Sequence, residues 1–209
     1  MSDLSTQDRL LEAAYGVFAE KGFRNATVAE ICERAGANIA AVNYHYGDKE
    51  SLYNACWRHG FALAMTAIPF DEGVDASTRP EERLGIFIHA FMRRVFDEGA
   101  VGNFPRMMVK EMAEPTGALD AILEEVVEPQ KAIMHAIVAD LLTTTPDDMR
   151  VRACGFSIIS QCVFFAFNRA LRERYILAHD TPAIVAERLA DHVTRFCLAG
   201  IADLKENPA

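Results

Sequence analysis

The chain has 209 residues, of which 51% are hydrophobic and 24% charged, and its formal net charge is −9. That composition can fill a substantial core, and a sequence without any run of 18 apolar residues, opening on MSDLSTQDRL rather than on the basic and apolar regions of a signal peptide, predicts a cytoplasmic protein with no membrane partner. Five scattered cysteines (Cys32, Cys56, Cys154, Cys162 and Cys197) form no C-x-x-C pair, which argues against a zinc centre or a disulfide framework.

The first predicted element is a helix from Ser5 to Lys21, with Leu10, Leu11, Ala14, Val17 and Phe18 at helical spacing and Asp8, Arg9, Glu12 and Glu20 on the other side. Gly22 stops it, Phe23 is placed to pack beneath the two helices that follow, and Arg24 and Asn25 lie in the connector. Thr27 caps a second helix, with Glu30 three residues on completing a capping box. Val28, Ile31, Cys32 and Ala35 give that helix one apolar face, and Gly36 ends it in the left-handed conformation that costs glycine nothing. Asn38 caps a third helix running through Ile39, Ala40, Ala41, Val42 and Asn43 into Tyr44, His45 and Tyr46. Two short capped helices across a glycine turn make a helix-turn-helix pattern.

A helix enters the DNA major groove where small residues let its backbone approach and side-chain tips reach base edges. Ala40 and Ala41 are small, while Tyr44, His45 and Lys49 offer a hydroxyl, an imidazole and an ammonium suited to phosphate oxygens. Tyr44 and Tyr46 could instead be core aromatics and Lys49 a solvated charge; the coincidence of cap, glycine turn and second cap favours the DNA reading. The candidate DNA-binding set is Thr27, Asn38, Ile39, Ala40, Ala41, Asn43, Tyr44, His45 and Lys49.

A fourth helix is predicted from Lys49 to about Ile68, capped by Asp48 and buried along Leu52, Tyr53, Cys56, Phe61, Leu63 and Ala64. Pro69 stops it, and FDEGVDASTRPEE reads as an exposed connector. Further helices are predicted from Pro80 towards Gly99, from Asn103 to Ala113, and from Gly117 to Leu142 with a kink near Val126 forced by Pro129. The stretch from Asp148 to Tyr175 is the most hydrophobic helix, and Asp180-Thr181-Pro182 opens the last one, along which Ile184, Val185, Leu189, Val193, Phe196, Cys197 and Ile201 recur at threes and fours. No strand-like alternation and no internal repeat occurs, so the fold class is all-α.

Thr27-Val28, Ile31, Ala35-Gly36, the cap at Asn38, then Tyr44-His45-Tyr46, Lys49-Glu50 and Leu52 resemble the signature of the tetracycline-repressor (TetR) family of bacterial regulators. Asn43 stands where an aromatic or aliphatic residue is usual in that family, and Tyr46 where phenylalanine is. The resemblance implies an N-terminal three-helix helix-turn-helix domain, residues 1–48, and a larger ligand-binding and dimerisation domain, residues 49–209, linked by the helix from about 49 to 68. It also implies a homodimer that reads a palindromic operator in double-stranded DNA and is released by a small-molecule effector, with the linking helix as the lever between effector and DNA. A looser resemblance, at Lys110 to Thr116 (KEMAEPT), points to a subset of these regulators and names no effector.

An effector site needs an apolar cavity with a few polar groups. Phe87, Phe91, Phe104, Met107, Met108, Met112 and Phe165 are the candidate lining, with His135, Gln161 and Asn168 as polar groups; His89 and Arg93 also lie on otherwise apolar faces. The last two helices form an antiparallel hairpin with surplus apolar surface, and Phe156, Phe164, Val185, Leu189, Val193 and Phe196 are the candidate dimer interface. No histidine pair has metal spacing and no G-x-S-x-G, P-loop or G-x-G-x-x-G occurs, so neither an enzyme nor a bound metal or cofactor is expected. A purely structural helical module would explain the hairpin but not Tyr44, His45 and Lys49. Residues 1–60 balance six cations (Arg9, Lys21, Arg24, Arg34, Lys49, Arg58) against eight anions (Asp3, Asp8, Glu12, Glu20, Glu30, Glu33, Asp48, Glu50), a net −2 that leaves −7 for the rest. Phosphate contact therefore falls to a few placed groups and helix N-termini, with weak non-specific binding as the consequence.

Overall fold

The computed structural model describes residues 4–168, 171, 174–175 and 180–207. All regular structure among them is helical: α1 (Thr6–Asn25), α2 (Val28–Ala35), α3 (Ile39–Tyr46), α4 (Lys49–Ala67), α5 (Pro80–Phe96), α6 (Asn103–Ala113), the single turn α7 (Leu119–Ile122), a π-helical turn (Leu123–Val127), α8 (Glu128–Leu142), α9 (Met149–Phe167) and α10 (Pro182–Glu206). The part of the predicted Asp148–Tyr175 helix beyond Asn168 falls largely outside the described residues.

The chain packs as two compact units, residues 1–67 with 98–122, and residues 68–97 with 123–209. In the first, α1 packs on α2, α4 and α6, and α3 on α2 and α4. Its core holds Tyr15, Phe18, Ile31, Leu52, Tyr53, Trp57 and Met107, all close to fully buried. Tyr53 is the hub, with ring centroids 4.8 Å from Phe18, 5.0 Å from Phe23 and 5.9 Å from Trp57. Gly60 belongs to the same core for a steric reason: a Cβ there would stand 2.7 Å from the ring of Tyr15.

In the second unit α10 lies along α5, with α8 and α9 completing the bundle. Leu84, Phe87, Ile88, Met92, Val138, Val151, Ile158 and Cys162 fill it. The long helix expected over 117–142 is broken as Pro129 requires. Pro129 has no N–H and its ring opposes the carbonyl one turn back, so the register opens into the π turn and α8 restarts with the proline in its first turn. At the same place the carbonyl of Val126 accepts from the Gln130 side chain at 2.9 Å. The connector after α4 departs from its expected exposure at one residue. Phe70 is buried, its ring stacked 4.3 Å from that of Phe87, with the Arg94 guanidinium 3.8 Å above it and Arg94 Nε donating to the Ile68 carbonyl at 3.0 Å.

Candidate nucleic-acid interface

Each end of the two short helices is fixed by a local bond. The Thr27 side chain accepts from Glu30 N at 3.2 Å and Asn38 Oδ1 from Ala41 N at 2.9 Å, each satisfying an orphan donor of a first turn. Gly36 sits at φ 60°, ψ 40°, and its N–H returns to the carbonyls of Cys32 and Glu33. The capping box is only half made. The Glu30 carboxylate is taken by Lys21 at 2.7 Å and Arg34 at 2.8 Å, because those cations stand on the same surface and a charged pair outcompetes a neutral backbone donor. Arg34 also forks onto Glu20 at 2.9 and 2.7 Å. Lys21 and Arg34 are thus occupied by carboxylates, and this region has little loose positive charge, as the local balance implies.

Val42 anchors α3 in the core, fully buried, and so turns the opposite side outward. Asn38, Ile39, Ala40, Asn43 and Tyr44 are exposed, Tyr44 by 85%, while Ala41 and His45 are half-buried. Ile39 with Asn43, and Ala40 with Tyr44, stack one turn apart on the outward face. A face with one small side chain, one isoleucine, one amide and one phenol fits a groove wall, and a carboxamide can bridge the donor and acceptor edge of adenine. Tyr44 and His45 are held edge to face at 4.9 Å. Tyr46 turns inward, its hydroxyl donating to the Gln7 carbonyl at 2.9 Å, which accounts for a hydroxyl where phenylalanine is usual.

Thr27 is exposed at the start of α2, and Lys49 opens α4 behind Asp48, whose carboxylate accepts from Ser51 N at 2.7 Å. The Lys49 ammonium lies 4.5 Å from the centre of the Phe23 ring, and partial burial lowers its pKa. Arg24 is 65% exposed beside Glu114 at 4.0 Å. The structure therefore gathers Asn38, Ile39, Ala40, Asn43 and Tyr44 on one outward face, with Thr27 and Lys49 at the starts of the helices on either side.

The effector candidates fall in two groups. Phe104, Met107, Met108 and Met112 belong to the first unit, where Phe104 packs 5.7 Å from Trp57 and Met112 is exposed. Phe87, Phe91, His135, Gln161, Phe165 and Asn168 belong to the second. Gln161 donates to Cys197 Sγ at 3.3 Å, Asn168 to the Phe164 carbonyl at 3.0 Å, and burial lowers the pKa of His135. A small cleft of about 110 Å³ instead lies in the first unit, lined by Gly22, Phe23, Tyr53, Lys110 and Glu111 among others. Of the dimer candidates, Phe156, Phe164 and Phe196 are 77%, 53% and 64% exposed, Leu189 is half-buried, and Val185 and Val193 are buried within their own unit. The spacing along α10 did not separate its two faces, since it is apolar on both; Ile184, 44% exposed, belongs with the outer set. Glu111 and Phe70, absent from every candidate set, are among the buried residues that sequence spacing does not single out, one for its charge and the other for its polar neighbours. Among the described residues no group of His, Cys, Asp or Glu could hold a metal, and no helix is long and apolar enough to cross a membrane.

An N-terminal capped helix-turn-helix on an all-helical chain defines a DNA-binding transcription regulator. Residues 10–56 match the family described as bacterial regulatory proteins, tetR family, and residues 80–201 match the C-terminal domain of the HTH-type transcriptional dual regulator CecR. The chain belongs to the TetR family, with a C-terminal domain of the CecR kind. It is 25% identical to the HTH-type transcriptional dual regulator CecR of Shigella flexneri over 77% of this chain and 75% of that protein. It is 35% identical to the HTH-type transcriptional repressor KstR2 of Mycobacterium tuberculosis over 42% of this chain and 43% of that one. Two solved structures share the fold: the transcriptional regulator FadR from Bacillus subtilis in complex with stearoyl-CoA (TM-score 0.71, 14% identity, 92% of this chain and 98% of that one), and AibR in complex with isovaleryl coenzyme A and operator DNA (TM-score 0.71, 15% identity, 92% and 97%).

Proposed function

We propose that the protein is a cytoplasmic repressor whose residues 1–48 read a palindromic operator as a homodimer, and whose residues 49–209 bind a small hydrophobic effector that releases it. The observation that carries this is the outward face of α3, where Ala40, Asn43 and the 85% exposed Tyr44 project from a helix capped at Asn38. The exposed phenylalanines of α9 and α10 support a helix-hairpin dimer, since Phe156, Phe164 and Phe196 are large apolar side chains left uncovered in one protomer. Acyl-coenzyme A thioesters head the list of effectors to try, because two proteins of this fold were solved with them. An effector acts by its differential affinity for the DNA-bound and free conformations, and loses its effect if it binds both equally.

The test is a duplex selected from a random pool with the wild-type protein, then measured by gel shift and salt titration. Lys49→Ala should weaken binding about tenfold and lower the salt slope by about one, as expected for one phosphate contact. Tyr44→Ala should weaken it without a comparable change of slope. Phe196→Glu should give monomers by light scattering, with operator binding lost. Dimers persisting in Phe196→Glu would remove α10 from the interface, and Tyr44→Ala binding as tightly as wild type would remove α3 from the groove.

A further inference from the structure

Glu111 lines the cleft of the first unit and is 1% exposed, yet it carries a carboxylate. Its Oε2 accepts from the Tyr53 hydroxyl at 2.8 Å, and its Oε1 from the Thr116 backbone N–H at 2.7 Å and the Thr116 hydroxyl at 2.9 Å. A carboxylate is costly to bury and is tolerated only where donors meet it, and three donors in fixed directions hold one arrangement far more narrowly than an apolar side chain would. The donors come from separate places in the chain, α4 and the turn after α6. One residue therefore ties the end of α6 to the helix that begins at Lys49.

The tie extends in one direction. The Tyr53 ring lies 5.0 Å from the Phe23 ring, and Phe23 carries the Lys49 ammonium over its face at 4.5 Å. Phe23 in turn is placed by Gly22, whose φ of 75° and ψ of 173° break α1, and α6 closes on that break: a Cβ on Gly22 would stand 3.1 Å from Cδ of Lys110, the residue before Glu111. The broken end of α1, the start of α4, which opens three residues past α3, and the end of α6 thus meet around one carboxylate.

We infer that Glu111 is a positioning residue for operator DNA: acting through Tyr53 and Phe23, its carboxylate fixes where the Lys49 ammonium stands. This rests on the phosphate contact proposed for Lys49. Tyr53→Phe keeps the ring and removes one donor; Glu111→Gln keeps the size and the Thr116 contacts but turns an amide towards Tyr53. A residue that only holds the fold together lowers stability and leaves the operator affinity of the folded dimer unchanged. A positioning residue changes the affinity and its salt dependence, and does so only while Lys49 is present.

The experiment is a double-mutant cycle on the selected duplex, with Tyr53→Phe, Glu111→Gln, Lys49→Ala and the two doubles containing Lys49→Ala, all at a temperature where melting curves show each variant folded. Tyr53→Phe and Glu111→Gln should each weaken binding about tenfold and reduce the salt slope towards that of Lys49→Ala. In the Lys49→Ala background each should change affinity by less than about twofold. Unchanged affinity and slope in Tyr53→Phe, or losses that add to that of Lys49→Ala, would overturn the inference while leaving Lys49 at the interface. Lys49→Ala binding with full affinity and slope would overturn both. Should Glu111→Gln fail to fold, Tyr53→Phe alone decides.

Discussion

In the first unit the side chains proposed to face DNA and the side chains that hold them are different residues: Tyr44 is 85% exposed, while Val42, two positions earlier, is fully buried. In the second unit the candidate effector residues sit at the core or beside it, with Phe87 1% exposed and stacked under Phe70 and Phe91, His135, Gln161, Phe165 and Asn168 half-buried. A surface reader can change its contacts without disturbing its support. A buried sensor cannot change a contact without repacking, which is how a small ligand can exert force on a helix bundle. The difference should show when each core is opened. Phe18→Ala and Phe87→Ala should each cost about 3–5 kcal/mol by chemical denaturation, the range for removing a buried phenyl ring. Hydrogen exchange should place the lost protection in residues 4–67 and 98–122 for Phe18→Ala, and in 68–97, 123–168 and 180–207 for Phe87→Ala. Protection lost evenly across the chain in both variants would abolish the distinction.

The recognition motif was legible in the sequence because its signals are local. Thr27, Gly36 and Asn38 each act within four residues of themselves, so a cap or a left-handed turn read from spacing is the cap or turn that forms. The boundaries of α2 and α3, and the segment Asn103–Ala113, follow from such marks. What the sequence could not supply was long-range. The carboxylate of Glu30 had to choose between a backbone donor and two cations, one of them nine residues earlier, and chose the cations. Val193 and Phe196 fall in one apolar repeat along α10, yet one is buried and the other exposed, because which side meets α5 is decided by packing. Phe70 sits among Pro, Asp, Glu and Gly and is buried all the same, and Glu111 is buried because Tyr53, 58 residues away, meets it.

A smaller effect separates the two kinds of glycine in the first unit. Gly36 lies at φ 60°, ψ 40° with open space where a Cβ would be, so alanine there meets only the left-handed penalty. Gly22 lies at φ 75°, ψ 173°, a region essentially closed to other residues, with Lys110 Cδ 3.1 Å from the added carbon. Gly22→Ala should therefore cost about 1–3 kcal/mol and more than Gly36→Ala, read from denaturant midpoints. The reverse order would mean that the break in α1 relaxes freely, and that the turn between α2 and α3 is the more constrained point.

The smallest effect is a pH dependence, and it distinguishes a buried support from a ligand contact at His135. Burial disfavours the imidazolium, with Lys131 and Arg152 acting in the same direction, so the pKa lies below its ordinary value of 6.5. The ring also presses on α9, where a Cβ on Gly155 would come within 3.0 Å of its Nε2. Because the unfolded chain takes up the proton first, the neutral ring contributes stability that is fully present above about pH 6.5 and is lost as pH falls through the lower, folded value. Denaturant midpoints at pH 7.5 and pH 5 should differ more for the wild type than for His135→Gln, which carries no titrating group. Equal differences would mean that the ring is solvated in the folded protein and able to meet an effector directly. A larger difference in the wild type, with acyl-coenzyme A affinity unchanged in His135→Gln, would make His135 part of the second unit's packing and shift the search for effector contacts to its other polar groups.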